Sequence, residues 1–138
     1  MFKFDIGYKD KTCHLEVEAE SLIGKLLGEV VKGEEISSEL NGYEFIITGA
    51  SDRSGFPALQ EVEGSGVKRV LLTKGKGMRI TRKGLRLRKS VRGNTISADI
   101  VQINLKVSKE GKKPLVEIFG KTEEKEKAKE KEAKVEEK

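Results

Sequence analysis

Residues 64–98 read GSGVKRVLLTKGKGMRITRKGLRLRKSVRGNTISA, a stretch without one Asp or Glu. It carries Lys68, Arg69, Lys74, Lys76, Arg79, Arg82, Lys83, Arg86, Arg88, Lys89 and Arg92. Cations with no local counter-charge repel one another, so the run calls for a polyanion whose phosphates replace the missing carboxylates. Arginine predominates, and its planar fork suits bidentate phosphate contact and stacking on bases. Gly75, Gly77, Gly84 and Gly93 interrupt the run too often for a stable helix, at about 1 kcal/mol each relative to Ala. Leu85, Arg86, Leu87 and Arg88 instead alternate apolar with charged, the period of a strand with one buried face. The segment is predicted to be an extended arm, residues 68–93, anchored by Met78, Ile80, Leu85, Leu87 and Val91. A glycine-jointed extended backbone can follow the uneven surface of folded RNA, which a rigid element made for B-form DNA could not.

Outward from the arm, the chain punctuates into short strands. On its C-terminal side Ile96, Ile100, Val101, Ile103, Leu105 and Val107 form the most β-branched segment and are expected to make the central strand. Gly111 and Pro114 then bracket a turn, and Leu115, Val116, Ile118 and Phe119 offer a strand or a helical turn. On its N-terminal side Val67, Val70 and Leu72 suggest a strand leading into the arm. Before it, residues 51–57 are dense in turn formers, with Phe56 as the anchor against the core. Tyr43, Phe45 and Ile47 alternate in a strand that ends at Gly49, preceded by a turn at Leu40, Asn41 and Gly42. Phe2, Phe4, Ile6 and Tyr8 share one face of a first strand, and Leu15, Val17 and Ala19 one face of a second; a turn at Asp10 and Lys11 makes them a hairpin. Ser21 is placed to cap a short helical turn through Leu22, Ile23, Leu26, Leu27 and Val30, kept short by Gly24, Gly28 and Gly33. The fold class expected is mainly β: a small β-barrel or curved antiparallel sheet with one short helix, an extended basic arm and a charged C-terminal tail.

At 138 residues, with aromatics at 5% and no Trp, the chain supports one domain over residues 1–120 with an aliphatic core. Residues 121–138 are almost wholly Lys, Glu and Ala, a tail that is helical or disordered. The net charge of +5 conceals an asymmetry: −7 over residues 1–63, +12 over 64–120 and 0 over the tail. One face is expected on a polyanion, the acidic half toward solvent or a basic neighbour. A single cysteine, Cys13, excludes an intrachain disulfide. No apolar run approaches the eighteen or so residues of a membrane span, and the N-terminus has no signal-peptide character, so a cytoplasmic protein is expected.

Catalytic chemistry finds little footing. Cys13 and His14 are the only residues of their kinds, too few for a zinc site, and neighbours on a strand point to opposite faces. Asp52, Ser51 and Ser54 lie in a glycine-containing loop, but His14 is the only histidine available as a base; an Asx turn suits Asp52 better. Gly75, Lys76 and Gly77 lack the Walker spacing and the helix that should follow it. No cofactor, metal or small-molecule substrate is called for.

Thr48, Gly49, Ala50, Ser51, Asp52, Arg53, Ser54, Gly55, Phe56 and Pro57, followed by Val70, Leu71, Leu72 and the arm through Lys89, Ser90, Val91, Arg92, Gly93 and Asn94, resemble the archaeal and eukaryotic small-subunit ribosomal protein family "S-six-e". The likeness runs in order over about 120 residues and is strongest toward archaeal members. It departs at Ala50, where the family has a second glycine, and at Ala58, where it has methionine. The resemblance implies a non-enzymatic, rRNA-binding constituent of the small ribosomal subunit, with a β-barrel body and a basic extension against rRNA. In that setting the basic neighbour open to the acidic N-terminal half would be an adjoining ribosomal protein, the alternative to solvent. Eukaryotic members carry a phosphorylated serine cluster in a C-terminal extension; this tail has no serine, so that regulation does not carry over. The competing expectations are a regulatory or translation-factor-like module for an acidic partner, and, more distantly, an enzyme on nucleotides or RNA.

Overall fold

The computed structural model describes residues 1–9, 11–75, 77–79, 82–111 and 115. The expected turn residue Asp10, the arm residues Lys76 and Ile80, Pro114, the apolar residues Val116, Ile118 and Phe119, and the tail 121–138 lie outside the described residues.

The protein is mainly β, with seven strands among the described residues: β1 (Phe2–Tyr8), β2 (Lys11–Val17), β3 (Val30–Lys32), β4 (Glu44–Asp52), β5 (Val67–Leu72), β6 (Leu87–Arg92) and β7 (Ile100–Lys109). Five form one sheet in the order β2-β1-β7-β4-β3, and β5 with β6 form a separate two-stranded ribbon. The β-branched segment read as the central strand is β7, in the middle of the five. Its neighbours run in opposite senses: β7 is parallel to β1 and antiparallel to β4. The sheet is therefore mixed where an antiparallel one was expected. Nor do its edges β2 and β3 pair among the described residues, so it is open rather than closed into a barrel.

The hairpin of β1 and β2 forms as the alternation predicts, from Phe2 opposite Val17 to Tyr8 opposite Lys11. Phe2, Phe4 and Ile6 point to the core, joined there by Phe45 and Ile47 of β4 and by Ile103 and Leu105 of β7. Strand β4 does not stop at Gly49. Its pairing with β7 slips between Ile47 and Gly49, so Thr48 is an extra, bulged residue. The bulge changes phase: the next inward residue after Ile47 is Ala50, and the Thr48 hydroxyl donates to the Asn104 carbonyl at 3.0 Å. Alternation broken at this point reads in sequence as the end of a strand.

The inner face of the sheet is covered by connections. Leu22, Leu27, Ile36, Leu40, Ile96 and Leu115 are buried against it. In place of the short helix expected after Ser21, the described residues between β2 and β4 form three single 3-10 turns, Glu20–Leu22, Gly33–Glu35 and Ser38–Leu40. Gly24 and Gly28 adopt left-handed φ of +93° and +92°, which ends any helix begun at Ser21. The Ser21 hydroxyl caps nothing; it donates to the Glu35 carbonyl at 3.0 Å. Ile103 is fully buried on the central strand, and Ile103→Val is expected to lower the unfolding free energy by about 1 kcal/mol with an unchanged denaturant slope.

Candidate nucleic-acid interface

The arm is the β5–β6 ribbon and the loop that joins its strands. Pairing runs from Val67 opposite Arg92 to Leu72 opposite Leu87. Because side chains alternate, Arg69, Leu71, Arg88 and Ser90 share one face, and Lys68, Val70, Leu72, Leu87, Lys89 and Val91 the other. Leu85 and Leu87, expected to be anchors, are exposed at 39% and 40%. The strand read from Leu85 begins only at Leu87, and among the described residues no further strand pairs with the ribbon at either edge. Burial is concentrated instead at the base, where Val91 is 1% exposed, and at Met78 in the joining loop.

A two-stranded ribbon is at best marginal alone. Its root holds it. Arg92 N–H donates to the Pro57 carbonyl at 2.9 Å, and the Arg92 carbonyl accepts from Leu59 N–H at 3.0 Å. Gly93 follows, so close to the chain at Gly64 that a Cβ there would lie 1.8 Å from the Gly64 oxygen. Asn94 N–H then donates to the Val62 carbonyl, and its side-chain oxygen accepts from Gly64 N–H at 3.3 Å. The 51–57 loop and the segment that follows it, through Gly64, thus form a socket for the arm. Phe56, expected to anchor it, is only half-buried; Ala58 and Leu59, just beyond, are the buried residues.

The Arg92 guanidinium points into that root. It is 6% exposed and its Nε donates to the Ser65 carbonyl at 3.1 Å. Nη1 and Nη2 donate to Asp99 Oδ2 at 3.0 and 2.5 Å, and Nη1 lies 3.5 Å from Asp52 Oδ2. The expectation that Arg92 presents its charge to a polyanion therefore does not fit its surroundings: two carboxylates and a carbonyl already occupy it. The expected Asx turn at Asp52 is replaced by this pairing and by a hydrogen bond from Arg53 N–H to Asp52 Oδ1 at 2.6 Å. Sequence reasoning missed Asp99, whose signal was its place as the first acid after the acid-free run.

The remaining described arm cations, Lys68, Arg69, Lys74, Arg79, Arg82, Lys83, Arg86, Arg88 and Lys89, are all exposed. None forms an ion pair among the described residues; Lys68 donates to the Glu63 carbonyl at 2.8 Å. Elsewhere about half of the described cations are matched, Lys3 with Glu16 at 2.8 Å, Lys25 with Glu35 at 2.6 Å, Lys9 with Glu110 and Lys109 with Glu44, and the unpaired Lys11, Lys32, Arg53 and Lys106 do not form a run in sequence. Exposed charge without counter-charge is therefore concentrated on the ribbon and its loop, a surface of positive potential. The other candidates do not converge. Cys13 packs against the core while His14 points outward, its Nδ1 2.5 Å from Asp5 Oδ1. Among the described residues no group of three or more His, Cys, Asp or Glu is placed to hold a metal ion, and no helix is long and apolar enough to cross a membrane.

The family model for ribosomal protein S6e matches residues 2–120. The chain belongs to the ribosomal protein S6e family. Relatives named small ribosomal subunit protein eS6 include one from Methanosphaera stadtmanae, 43% identical over 127 residues that make up 90% of this chain and 96% of the relative. One from Methanothermobacter thermautotrophicus is 45% identical, over 89% of this chain and 98% of the relative. Another, from Archaeoglobus fulgidus, is 49% identical over 77% of this chain and 81% of the relative. The S6e family is structural and non-enzymatic, so this chain's polar clusters are to be understood as scaffold and binding surface.

Proposed function

We propose that this chain is a structural constituent of the small ribosomal subunit, held on rRNA by its basic ribbon, and so a cytoplasmic component of the translation machinery. The observation that carries this is the set of exposed cations from Lys68 to Lys89 without carboxylate partners among the described residues, all on the β5–β6 ribbon and its joining loop. Phosphates laid against it supply the missing counter-charge, and release of their counterions supplies much of the affinity. Lys76 belongs to the same run in sequence. Arg92 takes a different part, fixing the ribbon to the socket. Residues 1–120 act as one unit, with 121–138 as an appended tail, and the acidic first half, net −7 over residues 1–63, is suited to a basic ribosomal neighbour. The relatives' names support the assignment to the small subunit.

The test is hydroxyl-radical footprinting on assembled subunits, with the chain's sedimentation followed through a high-salt wash. Protection of rRNA that disappears when the ribbon cations are neutralised supports the reading. Binding that survives ribonuclease, or a chain washed from the particle at modest salt, points instead to a regulatory module for an acidic protein.

A further inference from the structure

Between the ribbon and its socket lies a cleft of about 420 Å³, with Leu59, Gln60 and Glu61 on the socket side and Leu72, Thr73 and Lys74 on the ribbon side. That volume falls within the roughly 300–1,000 Å³ typical of small-ligand clefts. Its lining is unlike the rest of the arm. Leu59 is nearly buried and Leu72 half-buried, which gives apolar surface for a flat group. Gln60 is held in place: its Nε2 donates to the Leu27 carbonyl at 3.3 Å, and its backbone carbonyl accepts from Asn94 Nδ2 at 3.5 Å. The Glu61 carboxylate is exposed and makes neither an ion pair nor a hydrogen bond among the described residues, although Lys74 lines the same cleft.

An unpaired carboxylate beside a phosphate-binding arm repels the backbone of the ligand. It becomes favourable where the group facing it is a donor. In RNA the donors are the ribose 2′-OH and base edges, and only a base edge sets two N–H donors side by side to match both carboxylate oxygens; sequence-specific contact is made to unstacked bases read on that edge. We infer that this cleft receives one unpaired guanine of the bound RNA. Guanine alone among the four bases offers two adjacent donors, N1–H and the N2 amino group, which match the two oxygens of Glu61. Its faces lie against Leu59 and Leu72, and Lys74 and Thr73 meet the phosphate of the same nucleotide. The inference rests on the reading of the ribbon as an RNA-binding element and adds to it a point of base selection.

The probe is an RNA hairpin with an all-uridine loop, in which one loop position is changed to guanosine, inosine, adenosine or cytidine. Affinity for the full-length chain is measured by fluorescence anisotropy. The guanosine loop is expected to bind about tenfold tighter than the uridine, adenosine and cytidine loops, within the range of a good bidentate contact. Inosine, which keeps N1–H and lacks the amino group, falls between. Glu61→Gln, at an exposed site and nearly isosteric, brings the loops to within about twofold of one another and leaves the salt dependence unchanged, since the ribbon neutralises the same phosphates as before. Equal affinity for every loop, or a guanine preference that persists in Glu61→Gln, overturns the assignment. If ribbon variants weaken binding of the all-uridine hairpin while the loops remain indistinguishable, the base site alone is wrong. If ribbon variants bind it as tightly as the wild type, the RNA reading fails, and the base site with it.

Discussion

Glutamine at Arg69, Arg86, Arg88 and Lys89 together is expected to weaken binding to a small-subunit rRNA fragment by roughly 10³–10⁴-fold, at about 1–1.5 kcal/mol for each charge-assisted hydrogen bond removed. The same change flattens the plot of log affinity against log salt by about 0.7–0.9 for every phosphate that is no longer neutralised, close to three units for the four. Slope and affinity moving together identify phosphate neutralisation, because a variant that merely misfolds binds more weakly at every salt concentration alike. Folding is not at stake here: all four side chains are exposed and without carboxylate partners among the described residues. Exposed substitutions of this kind stay within about 0.5 kcal/mol. A matched control replaces Lys3 and Lys11 on the β1–β2 hairpin, which leaves the slope as it was. An unchanged slope in the fourfold variant would remove the ribbon from the interface.

The sequence made the strands visible wherever apolar residues alternate over one covered face. Phe2 to Tyr8 and the β-branched run of β7 are legible for that reason. Three features were hidden, each for a physical cause. The bulge at Thr48 shifts the inward position from Gly49 to Ala50, and a period-2 pattern cannot continue across an added residue. Leu85 and Leu87 alternate with arginines as a half-buried strand should, but alternation reports the strand and not whether anything covers it; the ribbon leaves them open. Closure of the sheet was beyond reach too, since it depends on whether β2 meets β3, and neither strand's composition encodes the other's distance. As for the site, the density of cations from Lys68 to Lys89 was plain. The exception among them, Arg92, was not, because its partner Asp52 stands 40 positions earlier and only the folded socket brings the two within 3.5 Å.

Arg92 is also where the largest loss of stability is expected. Removing one partner of a buried ion pair typically costs about 3–5 kcal/mol, most of it the penalty of leaving the other charge without compensation. The Asp52 side chain is 9% exposed and cannot regain water, whereas that of Asp99, at 69%, can. Arg92→Ala should therefore fall at the lower end, about 3 kcal/mol, with the Ser65 carbonyl losing its donor as well. In a chain of this size that corresponds to a drop in melting temperature on the order of 10 °C. Arg92→Lys keeps the charge but cannot fork to Ser65, Asp52 and Asp99 at once, so it recovers only part of the loss. Adding Asp52→Asn to Arg92→Ala removes the orphaned carboxylate and is expected to restore stability relative to the single variant, a coupling that a double-mutant cycle measures directly. RNA binding by Arg92→Gln, which removes the charge, separates the two parts played by arginine in this arm: affinity falls because the ribbon is no longer held in register, while the salt slope stays at the wild-type value because Arg92 neutralises no phosphate. A slope that drops by the increment of one phosphate in Arg92→Gln, or an Arg92→Ala chain within about 1 kcal/mol of wild type, would mean that Arg92 turns outward to the RNA and that the socket holds the ribbon without it.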